Sequence, residues 1–225
     1  MKGETESSGQ AYFRRMAIFL ITIAIGGFSL NGLINPQLMP EPYPLLMIHV
    51  LSMVSWYVLF IVQTRLIKGG NVNRHKRYGI WSVALAITIV ITGVTLTTVG
   101  YKAYKDPFIA SLNFGTMINF TIAYGAGYLL RSKINWHKRA MLLAGIAIVA
   151  PAIGRIVVAF KLPEPMVMLG YLLLILSLII HDWKYSRAHL RKSLILGGTI
   201  FFGLIGAAIN GGTASWANFL VHIWG

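Results

Sequence analysis

His49 and Arg155 are the side chains in this sequence best suited to chemistry inside an apolar environment. Each is predicted about five residues inside the same end of a long apolar run, about 7 Å deep at about 1.5 Å per residue. Ionisable groups at that depth usually face a partner or a pathway. Asn113 and Asn210 are predicted in the same half of the bundle. We therefore expect these four residues to form a polar pocket, in which Arg155 pairs with an anion and the others provide orienting hydrogen bonds.

Simpler interpretations of the same residues stay open. His49 can form an ordinary hydrogen bond between two helices. Arg155 can extend its side chain to the nearest headgroups. Pro151, four positions before Arg155, removes a backbone donor and is predicted to kink its helix.

Two similar basic motifs each open a long apolar run. Asn73-Arg74-His75-Lys76-Arg77 is followed, 62 positions later, by Asn135-Trp136-His137-Lys138-Arg139. Basic clusters at the ends of membrane helices set topology and bind lipid phosphates. We predict that role for His75, Lys76, Arg77, His137, Lys138 and Arg139. An anionic ligand at the two helix N-termini is the alternative.

Other chemistries have less support. The sequence has no cysteine, and no acidic residue is predicted deep inside an apolar run, which disfavours zinc hydrolysis and proton-coupled transport. A b-type haem needs two histidines at one depth on different helices. His49 with His222, or a pair among the histidines near the opposite helix ends, would have to supply them. We expect no cofactor, with haem b as the alternative and His49 then a metal ligand.

The composition indicates a membrane protein. Hydrophobic residues make up 56%, charged residues 12%, and mean hydropathy is +0.67, whereas soluble chains average about 25% charged residues. The net charge of +14 is spread over short clusters between apolar runs, so it favours contact with anionic lipids over nucleic acid.

Seven apolar runs are long enough for helices that cross a hydrocarbon core about 30 Å thick. We predict an all-α seven-helix membrane bundle as one domain over residues 16–212, after an N-terminal tail over residues 1–15. An interfacial tail is predicted over residues 213–225. The predicted spans are residues 16–34, 45–63, 80–99, 108–130, 140–160, 166–183 and 193–210.

The loop charges predict the orientation of this bundle. Most of the 20 lysines and arginines fall in the connections on one side, whereas the other side has only Lys102, Lys105 and Lys161. By the positive-inside rule, the N-terminus and both basic motifs are cytoplasmic and the C-terminus is outside. The four candidate pocket residues then lie in the outer half.

Several segments resemble a group of uncharacterised bacterial polytopic membrane proteins, in which His-Arg-Arg-Leu-Gly and His-Lys-Arg-Leu-Met motifs precede spans. The similarity covers roughly residues 44–216, and it is carried by the segments Ile48-His49, His75-Lys76-Arg77-Tyr78-Gly79, His137-Lys138-Arg139-Ala140-Met141, Pro151-Ala152-Ile153-Gly154-Arg155 and Gly211-Gly212-Thr213-Ala214-Ser215-Trp216. The resemblance implies a bacterial inner (plasma) membrane location and no particular reaction. This chain has Met47 and Gly206-Ala207-Ala208 where the group often has a further histidine and an arginine, which weakens a metal or haem centre.

We expect the protein to bind or move a small amphipathic or lipid-like anion in the outer pocket, without hydrolytic activity. The alternatives are a b-type haem electron-transfer protein and a structural subunit of a membrane complex. The expected partners are membrane lipids, an amphipathic small molecule and other membrane proteins, and not nucleic acid.

Overall fold

The computed structural model describes residues 2–224, with side chains for residues 11–224, and it is all-helical in that range. Each helix is joined to the next by a short connection. The helices are α1 (Lys2–Ile34), α2 (Pro44–Lys68), α3 (Val72–Tyr104), α4 (Pro107–Leu129), α5 (Ile134–Ala147), α6 (Ala150–Ala159), α7 (Pro165–Tyr185), α8 (Leu190–Gly211) and α9 (Ala214–Trp224).

Local sequence explains where several helices begin and end. Proline occupies the first turn of α2, α4, α6 and α7, where its missing N–H is not needed. Asp106 caps α4 by accepting a hydrogen bond from Ile109 N at 3.0 Å. Lys105 and Lys161 have left-handed backbone conformations at the ends of α3 and α6, which turn the chain sharply back.

Six helical segments in the described chain are long and apolar enough to cross a membrane. They are Ala11–Ile34, Pro44–Lys68, Val72–Tyr104, Ile134–Ala159, Pro165–Tyr185 and Arg187–Gly211. The described helices are therefore compatible with a membrane bundle. The α4 helix is outside this set although it has 23 residues, about 34 Å at about 1.5 Å per residue. Two asparagines, Asn113 and Asn119, lower its hydropathy.

Most helices extend beyond the predicted apolar limits, and both basic motifs lie in the first turns of helices. His75 belongs to the start of α3 and His137 to the start of α5. Their ring centroids are 6.1 Å apart, so the two motifs meet at one end of the bundle. We call this end the basic end and the other the opposite end.

The fifth predicted span is interrupted where Pro151 predicted a kink. The α5 helix ends at Ala147 and α6 begins at Ala150. Ile148 N and Val149 N donate to Ala144 O at 3.4 Å and to Ile146 O at 3.3 Å. The two helices α5 and α6 form the central element of the bundle, since 67% of the residues in their apolar stretch are buried.

Small residues allow the helices to pack closely. A Cβ atom on Gly27 of α1 would collide with the carbonyl of Ala152 on α6. Likewise Gly203 of α8 packs against the side chain of Asn119 on α4, whose Nδ2 donates to Ile200 O at 2.9 Å. The small residue Gly203 therefore allows close packing within the chain, where α8 meets α4.

The two predicted tails are helical. Residues 2–15, predicted as a tail, continue directly into the first apolar segment as part of α1. The C-terminal segment forms α9, which packs on α4 through a hydrogen bond of 2.8 Å from Trp216 Nε1 to Pro107 O and through the buried Leu220.

Candidate functional site

His49 connects α2 to α3. Its Nδ1 lies 2.8 Å from Thr92 Oγ1, and Thr92 Oγ1 donates to Thr88 O at 2.6 Å. Because the hydroxyl proton is already used within α3, His49 Nδ1 must supply the proton shared by the two helices. This geometry corresponds to the simpler interpretation of His49, an interhelical hydrogen bond.

Asn210 belongs to a different contact, between α8 and α4. Its Nδ2 donates to Ser111 Oγ at 3.2 Å, and Ser111 Oγ donates to Ala207 O at 2.8 Å. Asn113 is half-buried and makes no side-chain hydrogen bond within residues 11–224. The hydrogen-bonded asparagine of α4 is instead Asn119, which is 2% exposed.

Arg155 lies on a third contact, between α6 and α1. It is half-buried, and its guanidinium carbon lies 5.8 Å from the ring centroid of Phe28. Among the described side chains, no carboxylate forms an ion pair with it. Arg155 thus lies near the end of a candidate membrane segment, with its guanidinium beside an aromatic ring.

The four predicted pocket residues are divided among three helix pairs. Grooves of about 430 Å³ and 210 Å³ are present on the bundle surface. The first is lined by α2 and α3 and the second by α3 and α4, and neither is lined by His49, Asn113, Arg155 or Asn210. No side-chain hydrogen bond or ion pair in the described chain joins any two of these four residues.

The basic motifs separate into surface and interior residues. Lys76 and Arg77 are exposed, as contact with lipid headgroups requires. Lys138 is half-buried, with its Nζ 5.3 Å from the ring centroid of Phe13. His75 and His137 are half-buried and face each other.

Arg139 does not lie at the headgroup surface predicted for it. It is 0% exposed and forms an ion pair with Asp182, also 0% exposed, on α7. Arg139 Nε and Nη2 donate to the two carboxylate oxygens at 2.6 Å each, and Nη1 donates to Asn135 O at 2.8 Å. Its charge is therefore balanced by a protein carboxylate, because α5 is central and this position faces inward.

Ser193 of α8 completes what we call the clamp, formed by Arg139, Asp182 and Ser193. Its hydroxyl donates to Asp182 Oδ2 and accepts from Arg139 Nε at 3.2 Å. Next to the clamp, His181 stacks on Tyr12 of α1 with ring centroids 4.0 Å apart. Helices α1, α5, α7 and α8 therefore meet around one buried ion pair at the basic end.

Asp182 was not among the predicted site residues, although the sequence contains a signal for it. Asp182 is the one acidic residue inside the six candidate membrane segments. The apolar run stops at Ile180, but the helix continues to Tyr185, which carries Asp182 into the interior. A carboxylate near the end of a membrane helix is expected to pair with a basic side chain. Arg139 is one of several basic residues near that end, and the sequence alone does not show which of them is the partner.

No protein-family model, curated protein or solved structure matches the chain. The resemblance to uncharacterised bacterial membrane proteins stays a prediction.

Proposed function

We propose that this protein is a seven-span membrane protein that binds a small amphipathic or lipid-like anion at Arg155. The observation that carries the ligand proposal is a half-buried guanidinium without a carboxylate partner in the described chain. The proposed binding site includes fewer residues than the four-residue pocket, since the side chains of His49 and Asn210 already form hydrogen bonds with neighbouring helices.

Support for a seventh span comes from α4, which reaches both ends of the bundle. At the basic end its Gly127 O lies 2.8 Å from His137 Nδ1. At the opposite end its Ser111 contacts α8. The positive-inside rule then assigns the basic end and the N-terminus to the cytoplasm and the C-terminus to the outside of an inner (plasma) membrane.

The absence of cysteine allows a direct test of this orientation. Ser132 and Thr213 are exposed residues near the basic and opposite ends. A membrane-impermeant maleimide applied to intact spheroplasts should label the Thr213→Cys variant, and label Ser132→Cys only after lysis. Labelling of Ser132→Cys but not of Thr213→Cys in intact spheroplasts would overturn this topology, because either the orientation is reversed or α4 does not cross the membrane. Labelling of both would mean that an even number of spans separates the two positions.

The surroundings of Arg155 favour a ligand with both an anionic group and an apolar part. A guanidinium binds carboxylate or phosphate through two parallel hydrogen bonds. Exposed apolar side chains of α1 and α6 lie along the same elements, with Phe28 41%, Val158 45% and Phe160 58% exposed. An amphipathic anion can pair with Arg155 while its tail covers this apolar surface.

The test compares anionic lipid retained by purified variants. Native mass spectrometry after exchange into phosphatidylglycerol and phosphatidylcholine mixtures should show bound phosphatidylglycerol that falls about tenfold in Arg155→Leu, since a charge-assisted hydrogen bond contributes about 1.5–3 kcal/mol. Arg155→Lys should retain part of the binding. The matched control is Arg187→Leu, which removes an exposed arginine 6.0 Å from the ring of Trp183 near the basic end.

Equal retention in Arg155→Leu and Arg187→Leu would overturn the assignment of Arg155. Retention of phosphatidylcholine equal to phosphatidylglycerol in the unmodified protein would overturn the preference for an anion. Both outcomes can be read from the same spectra, because the two lipids differ in mass.

A further inference from the structure

The two basic motifs bring together a set of unpaired polar atoms at the basic end. His75 of α3 and His137 of α5 have ring centroids 6.1 Å apart, with ring planes at 88°. His75 Nδ1 is buried and has no hydrogen-bond partner in the described structure, and the same is true of Gln63 Oε1 on α2. Buried polar atoms without partners are uncommon and usually indicate a bound water, an ion or a functional role.

The protonation of His137 is fixed by its neighbour on α4. His137 Nδ1 lies 2.8 Å from Gly127 O, and a carbonyl oxygen only accepts, so Nδ1 carries the proton. In the neutral imidazole, Nε2 then offers a lone pair. A histidine whose other nitrogen donates to a backbone carbonyl has the arrangement typical of metal-ligating histidines.

The orientation of Gln63 is fixed in a similar way. Its Nε2 donates to His75 O at 3.2 Å, since the reverse orientation would place two acceptor oxygens together. The unpaired Oε1 is therefore a carbonyl-type acceptor beside the first turn of α3. Three helices thus contribute polar side-chain atoms, and His75 Nδ1 and Gln63 Oε1 have no hydrogen-bond partner in the described chain.

The separation of the two rings suits a shared metal ion. Two imidazoles that bind one ion at about 2.0–2.1 Å per nitrogen have ring centres about 5–6.5 Å apart, and the observed value is 6.1 Å. The described residues contain no group of three or more His, Cys, Asp or Glu that could hold a metal. The set here is different, with two imidazoles and one amide oxygen.

We propose that His75 and His137, together with the side-chain carbonyl of Gln63, form a binding site for a transition-metal ion of the copper or zinc class. Imidazole nitrogens suit these ions, and among divalent ions copper binds N-donor sites more tightly than zinc. The exposed Lys76 and Arg77 nearby repel a bound cation. This repulsion is weaker for singly charged Cu(I) than for Zn²⁺. The bound ion would link α2 and α3 to α5.

The experiment measures metal binding to the full chain in detergent, purified with a tag that contains no histidine. After chelation, the protein is titrated separately with Cu(I) under reducing conditions and with Zn²⁺, using competing chelators of known affinity. We expect about one ion per chain, with Cu(I) bound more tightly, and at least a tenfold weaker affinity in His75→Ala and in His137→Ala. Gln63→Leu should weaken binding less than either histidine variant.

His189→Ala is the matched control, because His189 is also half-buried near the start of a helix with an unpartnered Nδ1. Its affinity should equal that of the unmodified protein. If a histidine variant does not fold, X-ray absorption of the metal-loaded unmodified protein decides, since two imidazole ligands are expected.

Three outcomes would overturn the proposal. They are no stoichiometric binding of either ion, equal loss in His189→Ala and His75→Ala, or a spectrum without imidazole ligands. A fourth is a Soret band, in protein produced with haem, that disappears in His75→Ala and in His137→Ala, because it would assign the two histidines to haem instead of an ion. Because neither histidine contacts Arg155, the lipid experiment and the metal experiment fail independently.

Discussion

Removing one member of the clamp should destabilise the protein far more than removing any exposed charge. Asp182→Leu leaves Arg139 buried with its charge unbalanced, and Arg139→Leu does the same to the carboxylate. Two hydrogen bonds of 2.6 Å join the pair, and bonds to charged groups contribute about 1.5–3 kcal/mol each. Each single replacement should therefore cost about 3–5 kcal/mol, the range measured for broken buried ion pairs.

The double variant Arg139→Leu with Asp182→Leu should be much closer to the unmodified protein than either single variant. It removes both charges, and replacing a buried ion pair by apolar side chains is often neutral or stabilising. The coupling energy is the effect of the double variant minus the sum of the two single effects. We expect it to be several kcal/mol and stabilising, whereas each single replacement is destabilising.

The assay is equilibrium unfolding of the purified chain in mixed micelles, followed by tryptophan fluorescence, for the unmodified protein and the three clamp variants. Arg77→Leu is the matched control, because Arg77 occupies the same position in the other basic motif but is exposed. Its effect should be within about 0.5 kcal/mol. The reasoning fails if Asp182→Leu is as harmless as Arg77→Leu, or if the double variant loses the sum of the two single effects.

Two further variants test helix packing. Gly27→Ala should lower stability by about 1–3 kcal/mol, because the added methyl meets the backbone of Ala152 and not a flexible side chain. Gly26→Ala, whose Cβ would meet nothing within 4 Å, should be neutral in the same unfolding assay, and a neutral Gly27→Ala would contradict the close approach. Thr92→Val removes the acceptor of the His49 hydrogen bond and should cost about 0.6–1.7 kcal/mol, whereas an unchanged stability would show that this contact contributes nothing.

The membrane class and six apolar helices could be predicted because long apolar runs are a direct consequence of the hydrocarbon environment. The helix ends were less predictable. Hydrophobicity marks where a helix leaves the hydrocarbon, but backbone hydrogen bonding continues into the interface, as α2 shows by reaching Lys68 beyond the predicted end at residue 63. Asp182 fell within the predicted span over residues 166–183, but the sequence does not show which cation it faces.

The candidate site was less predictable than the fold, because a depth along one helix says nothing about the direction of the side chain. His49, Arg155 and Asn210 were correctly recognised as polar residues inside apolar runs. Each nevertheless faces a different neighbouring helix. Successive residues of a helix point about 100° apart, so helix rotation decides whether residues at one depth meet. Rotation depends on packing, which the sequence of one helix does not specify.

The repeated motif illustrates this limit within a single chain. Its histidines meet at the basic end, but the arginines two positions later have opposite environments, since Arg77 is exposed and Arg139 is 0% exposed. The difference arises because α5 lies at the centre of the bundle and has a neighbour, α7, that supplies a carboxylate. Similar sequence therefore gives the two helices the same start but not the same role. It follows that comparing the stabilities of the Arg77 and Arg139 variants measures the effect of packing. The His75 and His137 variants instead measure the affinity of the ion proposed to bind between the two rings.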